Sequence, residues 1–179
     1  LNIIEPEAKD INSKVDKNII AKQRFDLMKK ESVLIKEKVK SFYIYKIYQK
    51  SHTQIGIVGT ANLSAYDNLH IRGHEEIYLE RAQERTDQML NLNAQIGPIY
   101  VIFPDNEDLN QLIKDQIKTY KPYFSFDSLD NCNHSLWVIN EDSIVSKISN
   151  IFNEINKIYI ADGHHRIEAM LKLSKFKKH

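Results

Sequence analysis

The sequence predicts an α+β (mixed α/β) fold, a mixed sheet with flanking helices, on three observations. Runs rich in β-branched and aromatic residues at Ser41 to Gln49, Pro98 to Phe103 and His134 to Ile139 read as strands. Other stretches repeat apolar residues at helical spacing, most cleanly Asp142 to Ile155, with Ile144, Val145, Ile148, Ile151, Phe152 and Ile155. Near the end, the apolar run Ile158 to Ala161 breaks into Asp162, Gly163, His164, His165 and Arg166 and resumes as Ile167, Glu168, Ala169, Met170 and Leu171. That last pattern is a buried strand, a tight turn and a helix. Strands and helices do not alternate in the regular order of a doubly wound sheet.

The elements follow in order. From about Asn12 to Lys30, Val15, Ile19, Ile20, Phe25 and Met28 recur with a ragged helical period, predicting a charged amphipathic helix. Ser41 to Gln49 is a strand. A second spans Gln54 to Leu63, where Gly56 and Gly59 suggest a bulge or a close backbone approach. Tyr66, Asp67 and Asn68 turn the chain, and Leu69 to Ile71 leads into a loop of Arg72, Gly73, His74, Glu75 and Glu76. Leu79 to Asn93 is helical, with Arg85 the charge most worth following on an otherwise wet face. Pro98 to Phe103 forms a short buried strand, closed by Pro104, Asp105 and Asn106. Leu109, Leu112, Ile113 and Ile117 mark another helix, and Tyr123 to Phe126 and His134 to Ile139 are strands joined by a polar loop. No repeat, linker or low-complexity segment marks an internal boundary, so residues 1–179 are read as a single unit.

Composition removes several functional classes. With 179 residues, 42% hydrophobic and 27% charged, the chain can bury one respectable core or two small ones. Its formal net charge of +1 gives no overall field for nucleic acid or a membrane surface, and no recognition helix is evident. Cys132 is the single cysteine, which excludes an internal disulfide and fits a reducing cytosol. Neither a signal-peptide pattern nor a long apolar span occurs, so a soluble, cytoplasmic protein is expected.

The turn at residues 162–166 carries the chemistry. Free N–H groups and the positive end of the helix dipole attract anions at a helix start, and the planar guanidinium of Arg166 adds a fork suited to phosphate. The bland alternative, that His164 and His165 only cap the helix, is weakened by the cost of placing so many polar groups at one junction. His74 and Glu75 match the start of the helical zinc-protease pattern, but Tyr78 stands where the second histidine must fall. What remains is a loop suited to general-base work or Mg²⁺ binding. The glycines at 56 and 59 do not make a phosphate-binding P-loop, which ends in Gly-Lys-Ser/Thr.

In order along the chain, FYIYKIYQ followed by GIVG, then IRGHEE, LNAQIGPIYVIF, HSLWVI and IADGHHRIEA resemble the family catalogued as domain of unknown function 1015. The resemblance runs from about Phe42 to Leu171. Members of that family are longer, which implies that this chain is a fragment of a larger protein with segments beyond both ends. The DGHHR turn is also similar to the strand, turn and helix of the ParB and sulfiredoxin superfamily, whose loop holds nucleotide phosphates, and within it to the free-serine kinases. Two departures stand out: where the family usually has a threonine and basic residues after His-Glu, this chain reads Glu76, Ile77, Tyr78, Leu79, Glu80, Arg81, and Ile167 replaces a tyrosine after the arginine.

Together these readings lead to a nucleotide-dependent phosphotransferase acting on a small hydroxyl compound such as serine, with ATP or ADP and Mg²⁺. Gly163, His164, His165 and Arg166 are the expected phosphate-holding residues. Asp162 is expected to bind Mg²⁺ or orient the acceptor hydroxyl, and His165, Glu75 and His74 complete the catalytic set. A noncatalytic nucleotide-responsive binding module is the alternative. A metal hydrolase using Asp162, His164, His165 and His74 or Cys132 ranks third, because adjacent helical side chains point roughly 100° apart.

Overall fold

The protein, described here by a computed structural model, is defined at Ile3 and over residues 17–176. Part of the first predicted helix, residues 12–16, lies outside the described residues. Among those described are six helices and two separate sheets. The chain clusters into two compact units, each assembled from non-contiguous segments: one takes the residues up to Lys36, Leu63–Ile102 and those from Lys157 onward, the other Glu37–Asn62 and Phe103–Asn156. Each is taken by itself below.

The second-named unit is built on an antiparallel sheet of β1 (Phe42–Gln49), β2 (His52–Val58), β5 (Phe124–Asp127) and β6 (Asn133–Ile139), in the order β2-β1-β6-β5. Strand β1 pairs with both β2 and β6, placing Ile44 opposite Ile57 on one side and Trp137 on the other. Along β6, Ser135, Trp137 and Ile139 are buried at every second position, the period-two signature of a half-covered strand. Helices α4 (Glu107–Thr119) and α5 (Asp142–Glu154) pack on each other and add buried Leu109, Leu112, Ile148 and Ile151. The two glycines read as a bulge or close approach divide. A Cβ on Gly59 would lie 2.5 Å from the Phe42 ring, whereas at Gly56 it would meet nothing within 4 Å, and the β1–β2 register runs through Gly56 without a bulge. Asn106, expected only to end a strand, caps α4: its Oδ1 accepts the Leu109 N–H at 2.9 Å. Asn106→Ala should therefore lower stability by about 1 kcal/mol, read as a fall in the urea midpoint of this unit.

The first-named unit holds a mixed sheet of β3 (Ile71–Arg72), β7 (Ile158–Asp162) and β4 (Tyr100–Ile102), in the order β3-β7-β4. Strand β3 runs parallel to β7 and β4 antiparallel to it. Ile71, Ile158 and Ile160 are buried. Helix α6 (His164–Phe176) packs on α3 (Leu79–Leu92), and α3 on α1 (Lys17–Lys30). Helix α3 buries Ala82, Thr86, Met89 and Leu92, and Thr86 is satisfied by donating to the Ala82 carbonyl at 2.8 Å. Ala21 and Leu92 cluster with Ile3, against which Phe25, Met28, Ala94 and Ile96 pack. A four-residue helix α2 (Ser64–Asp67) occupies the turn read at Tyr66 to Asn68. No helix among the described residues is long and apolar enough to cross a membrane.

Candidate anion-binding site

Parallel pairing of β3 and β7 sets the site. Because the two strands run the same way, the loops that follow them leave the sheet at one end, where ligands of open α/β sheets bind. The loop after β3 carries His74 and Glu75, and the turn after β7 carries Asp162 to Arg166. The antiparallel β4 brings its entering segment, Gly97 to Ile99, to the same end.

The turn begins at Gly163, whose φ of +103° lies in a region that L side chains rarely adopt. Its carbonyl accepts the N–H groups of Arg166 at 3.0 Å and Ile167 at 3.1 Å, which starts α6 and leaves the first N–H groups of the helix without an intrahelical acceptor. Arg166 folds back over this start. A Cβ on Gly163 would sit 3.0 Å from Nε and from Nη2 of Arg166, and one on Gly97 would lie 3.7 Å from its Cδ. Two glycines thus form the floor under the guanidinium. Nη2 pairs with the exposed Asp162 carboxylate, while Nε is buried and has no hydrogen-bond partner. A cation parked on the positive end of its own helix dipole is electrostatically unfavourable, and one exposed carboxylate offsets it only in part. That makes the turn a candidate anion site.

The two histidines work through the neighbouring loop. His164 is buried, at 3% exposure, and its Nε2 accepts the His74 backbone N–H at 3.3 Å. The Glu75 carboxylate lies 3.0 Å from Nδ1 but off the N–H axis, so the contact is electrostatic and Nδ1 has no aligned acceptor. The His74 ring meets the His164 ring edge-on, with centroids 4.8 Å apart. Gly73 permits this approach, since a Cβ there would be 3.1 Å from His164 Cδ2. His165 Nε2 accepts the Tyr78 N–H at 3.2 Å, and the two rings stack 6.0 Å apart at 14°. Arg81 lies over the other aromatic partner in this stack, 5.4 Å from the Tyr78 centroid.

All seven residues singled out from the sequence, His74, Glu75, Asp162, Gly163, His164, His165 and Arg166, belong to this one unit. The 74–78 segment is tied to the start of α6 by two hydrogen bonds to histidine. Through Nε2, both imidazoles brace that loop, which leaves Arg166 Nε, the second ring nitrogen of His165 and the N–H groups of the first turn as the candidate donors to an anion. Tyr78, Arg81, Gly73 and Gly97 join the site without having been singled out as members of it. Arg85 instead donates to Gln88 Oε1 at 3.0 Å, within α3. The metal constellation of Asp162, His164, His165 and His74 or Cys132 does not assemble among the described residues. The two Nε2 atoms face different amides, and Cys132 belongs to the other unit.

The chain is an α+β protein with two sheets and six helices among the described residues. Over residues 1–179 the chain matches the model of the family described as protein of unknown function (DUF1015), and it belongs to that family. No curated protein and no solved structure matches it.

Proposed function

We propose that the site is that of a nucleotide-dependent phosphotransferase acting on a small hydroxyl compound, serine-like in size, with the nucleotide phosphates held at Gly163 to Arg166. The observation that carries this reading is the buried, unpartnered Nε of Arg166 at a helix start floored by Gly163 and Gly97. Donors without acceptors are costly when buried, and a phosphate oxygen at that spot satisfies them. The similarity of the turn to the ParB and sulfiredoxin superfamily and its free-serine kinases supports the same assignment.

Phosphoryl transfer asks mainly for positioning and charge stabilisation. Arg166 and the first-turn N–H groups hold and neutralise phosphate oxygens. His164 and His165 position the loop that presents Glu75, and His165 keeps its second ring nitrogen for the phosphate. Glu75, with His74 beside it, takes the proton of the acceptor hydroxyl as the new P–O bond forms and the nucleotide departs one phosphate shorter. Asp162, exposed and at the edge of the cradle, suits Mg²⁺ or the acceptor hydroxyl. Mg²⁺ is ordinarily bound by one or two carboxylates together with substrate phosphates, and when bound it supplies charge neutralisation.

The test is calorimetry with ATP and with ADP in the presence of Mg²⁺, followed by a screen of hydroxyl acceptors. Arg166→Ala should weaken nucleotide binding by about 1.5–3 kcal/mol, roughly 10- to 150-fold. Arg166→Lys keeps the charge but loses the fork and should fall between. Unaltered affinity in Arg166→Ala would remove the cradle from the function. Saturable binding without phosphorylated product would make the protein a nucleotide-responsive binding module.

A further inference from the structure

The β5–β6 hairpin holds a second group of polar side chains, outside the site above. Asp130 lies in the turn that connects the two strands, Cys132 immediately precedes β6 and His134 is its second residue. One carboxylate oxygen, the thiol sulfur and one ring nitrogen from these residues all lie within 4.8 Å of one another. The backbone beneath them is closed by hydrogen bonds: Ser128 N donates to the Cys132 carbonyl at 2.9 Å and Asn131 N to the Ser128 carbonyl at 3.0 Å, with Asn131 left-handed at φ 60°. Gln49 Nε2 ties the Asp130 carbonyl to β1 at 3.3 Å.

The side chains of this group are linked through Ser128 and Tyr45. The Ser128 hydroxyl lies within hydrogen-bond distance of the Asp130 carboxylate, the Cys132 carbonyl at 2.9 Å and His134 Nε2 at 2.9 Å, and has a single proton to offer. His134 Nδ1 meets the Tyr45 hydroxyl at 2.6 Å, and its ring stacks on Phe126 with centroids 5.1 Å apart. A ring held at Nδ1 and turned by stacking presents Nε2 as the coordinating nitrogen. Such an outer partner orients a metal-binding histidine.

We propose that Asp130, Cys132 and His134 bind a zinc-class divalent transition metal ion, through one carboxylate oxygen, the thiolate sulfur and Nε2, with a fourth position left to solvent. The mixed O, S and N donor set is that of a borderline-soft tetrahedral cation. In a tetrahedral shell neighbouring donor atoms sit about 3.6 Å apart, so closure asks the three donor atoms to draw together slightly and the Ser128 hydroxyl to turn away from Nε2. Binding releases the thiol proton to solvent.

Cys132 is the single cysteine of the chain, which makes a direct test available. Titration of the full chain with Co²⁺ should produce a thiolate-to-cobalt charge-transfer band that saturates at one ion per chain and is absent in Cys132→Ser. Asp130→Asn and His134→Gln should each weaken the ion by about ten-fold or more, while His164→Gln leaves the band intact. Zn²⁺ should slow alkylation of Cys132 in the unmodified protein, a readout that needs no variant to fold. Absence of the band at saturating Co²⁺, an alkylation rate indifferent to Zn²⁺, or equal affinity in Asp130→Asn and His134→Gln would overturn the assignment.

Discussion

Gly163→Ala is expected to lower unfolding stability by about 2–4 kcal/mol and to weaken nucleotide binding with it. Two separate costs converge on this residue. Its φ of +103° is strained for any residue with a Cβ, and such strain is typically about 1–3 kcal/mol. The new methyl would also stand 3.0 Å from Nε and Nη2 of Arg166 and 3.2 Å from Ile99 Cγ1, inside ordinary contact distance. Crowding of this kind costs about 1–3 kcal/mol, and the guanidinium relieves it by swinging away from the helix start. Gly97 provides the internal comparison. Its φ of +87° carries similar backbone strain, but its Cβ would meet Arg166 only at 3.7 Å. Gly97→Ala should therefore be the milder change, both in urea denaturation and in calorimetry. The reverse order would mean that crowding of Arg166 is not what makes Gly163 necessary.

These glycines also show what could be read from residues alone. Gly163 was legible because a turn between a β-branched strand and a helix leaves a short list of conformations, and Arg166 was legible through its place in the first turn. The helix from Asp142 was equally plain, since six apolar residues repeat at one spacing. The partners were not. Strand β3 is two residues long, too short for any period, yet its parallel pairing with β7 is what carries His74, Glu75 and Tyr78 to the cradle. Tyr78 entered the sequence reading as the wrong residue for a zinc ligand and as a departure from the family pattern, while its amide and ring engage His165. Whether His164 meets a phosphate or a loop amide depends on a contact across 90 residues, which no local pattern encodes. The division into two sheets was hidden for a related reason. Each unit is assembled from separated segments, so no linker or change of composition marks where one gives way to the other.

The buried imidazole of His164 is the other position of large expected effect. His164→Ala removes a ring at 3% exposure and should cost about 2–4 kcal/mol, combining the cavity with the loss of an acceptor for the His74 N–H. The functional consequence is more specific than the loss of stability. His164 touches the loop at three points: its Nε2 holds the His74 amide, its Nδ1 faces Glu75, and its ring edge meets the His74 ring. Without it the His74 amide should exchange its proton with solvent far faster, and limited proteolysis should open the segment 73–78 ahead of global unfolding. Amides in the β5–β6 hairpin of the other unit serve as the control and should be unaffected. His164→Gln separates the roles, because its side-chain oxygen can still accept a backbone N–H while its amide donor can face Glu75. Substantial recovery of protection at His74 in His164→Gln is the expected result. Equal protection at His74 in the native protein and in His164→Ala would show that the loop is held by its own backbone, and would leave Glu75 without the brace that keeps it beside the helix start.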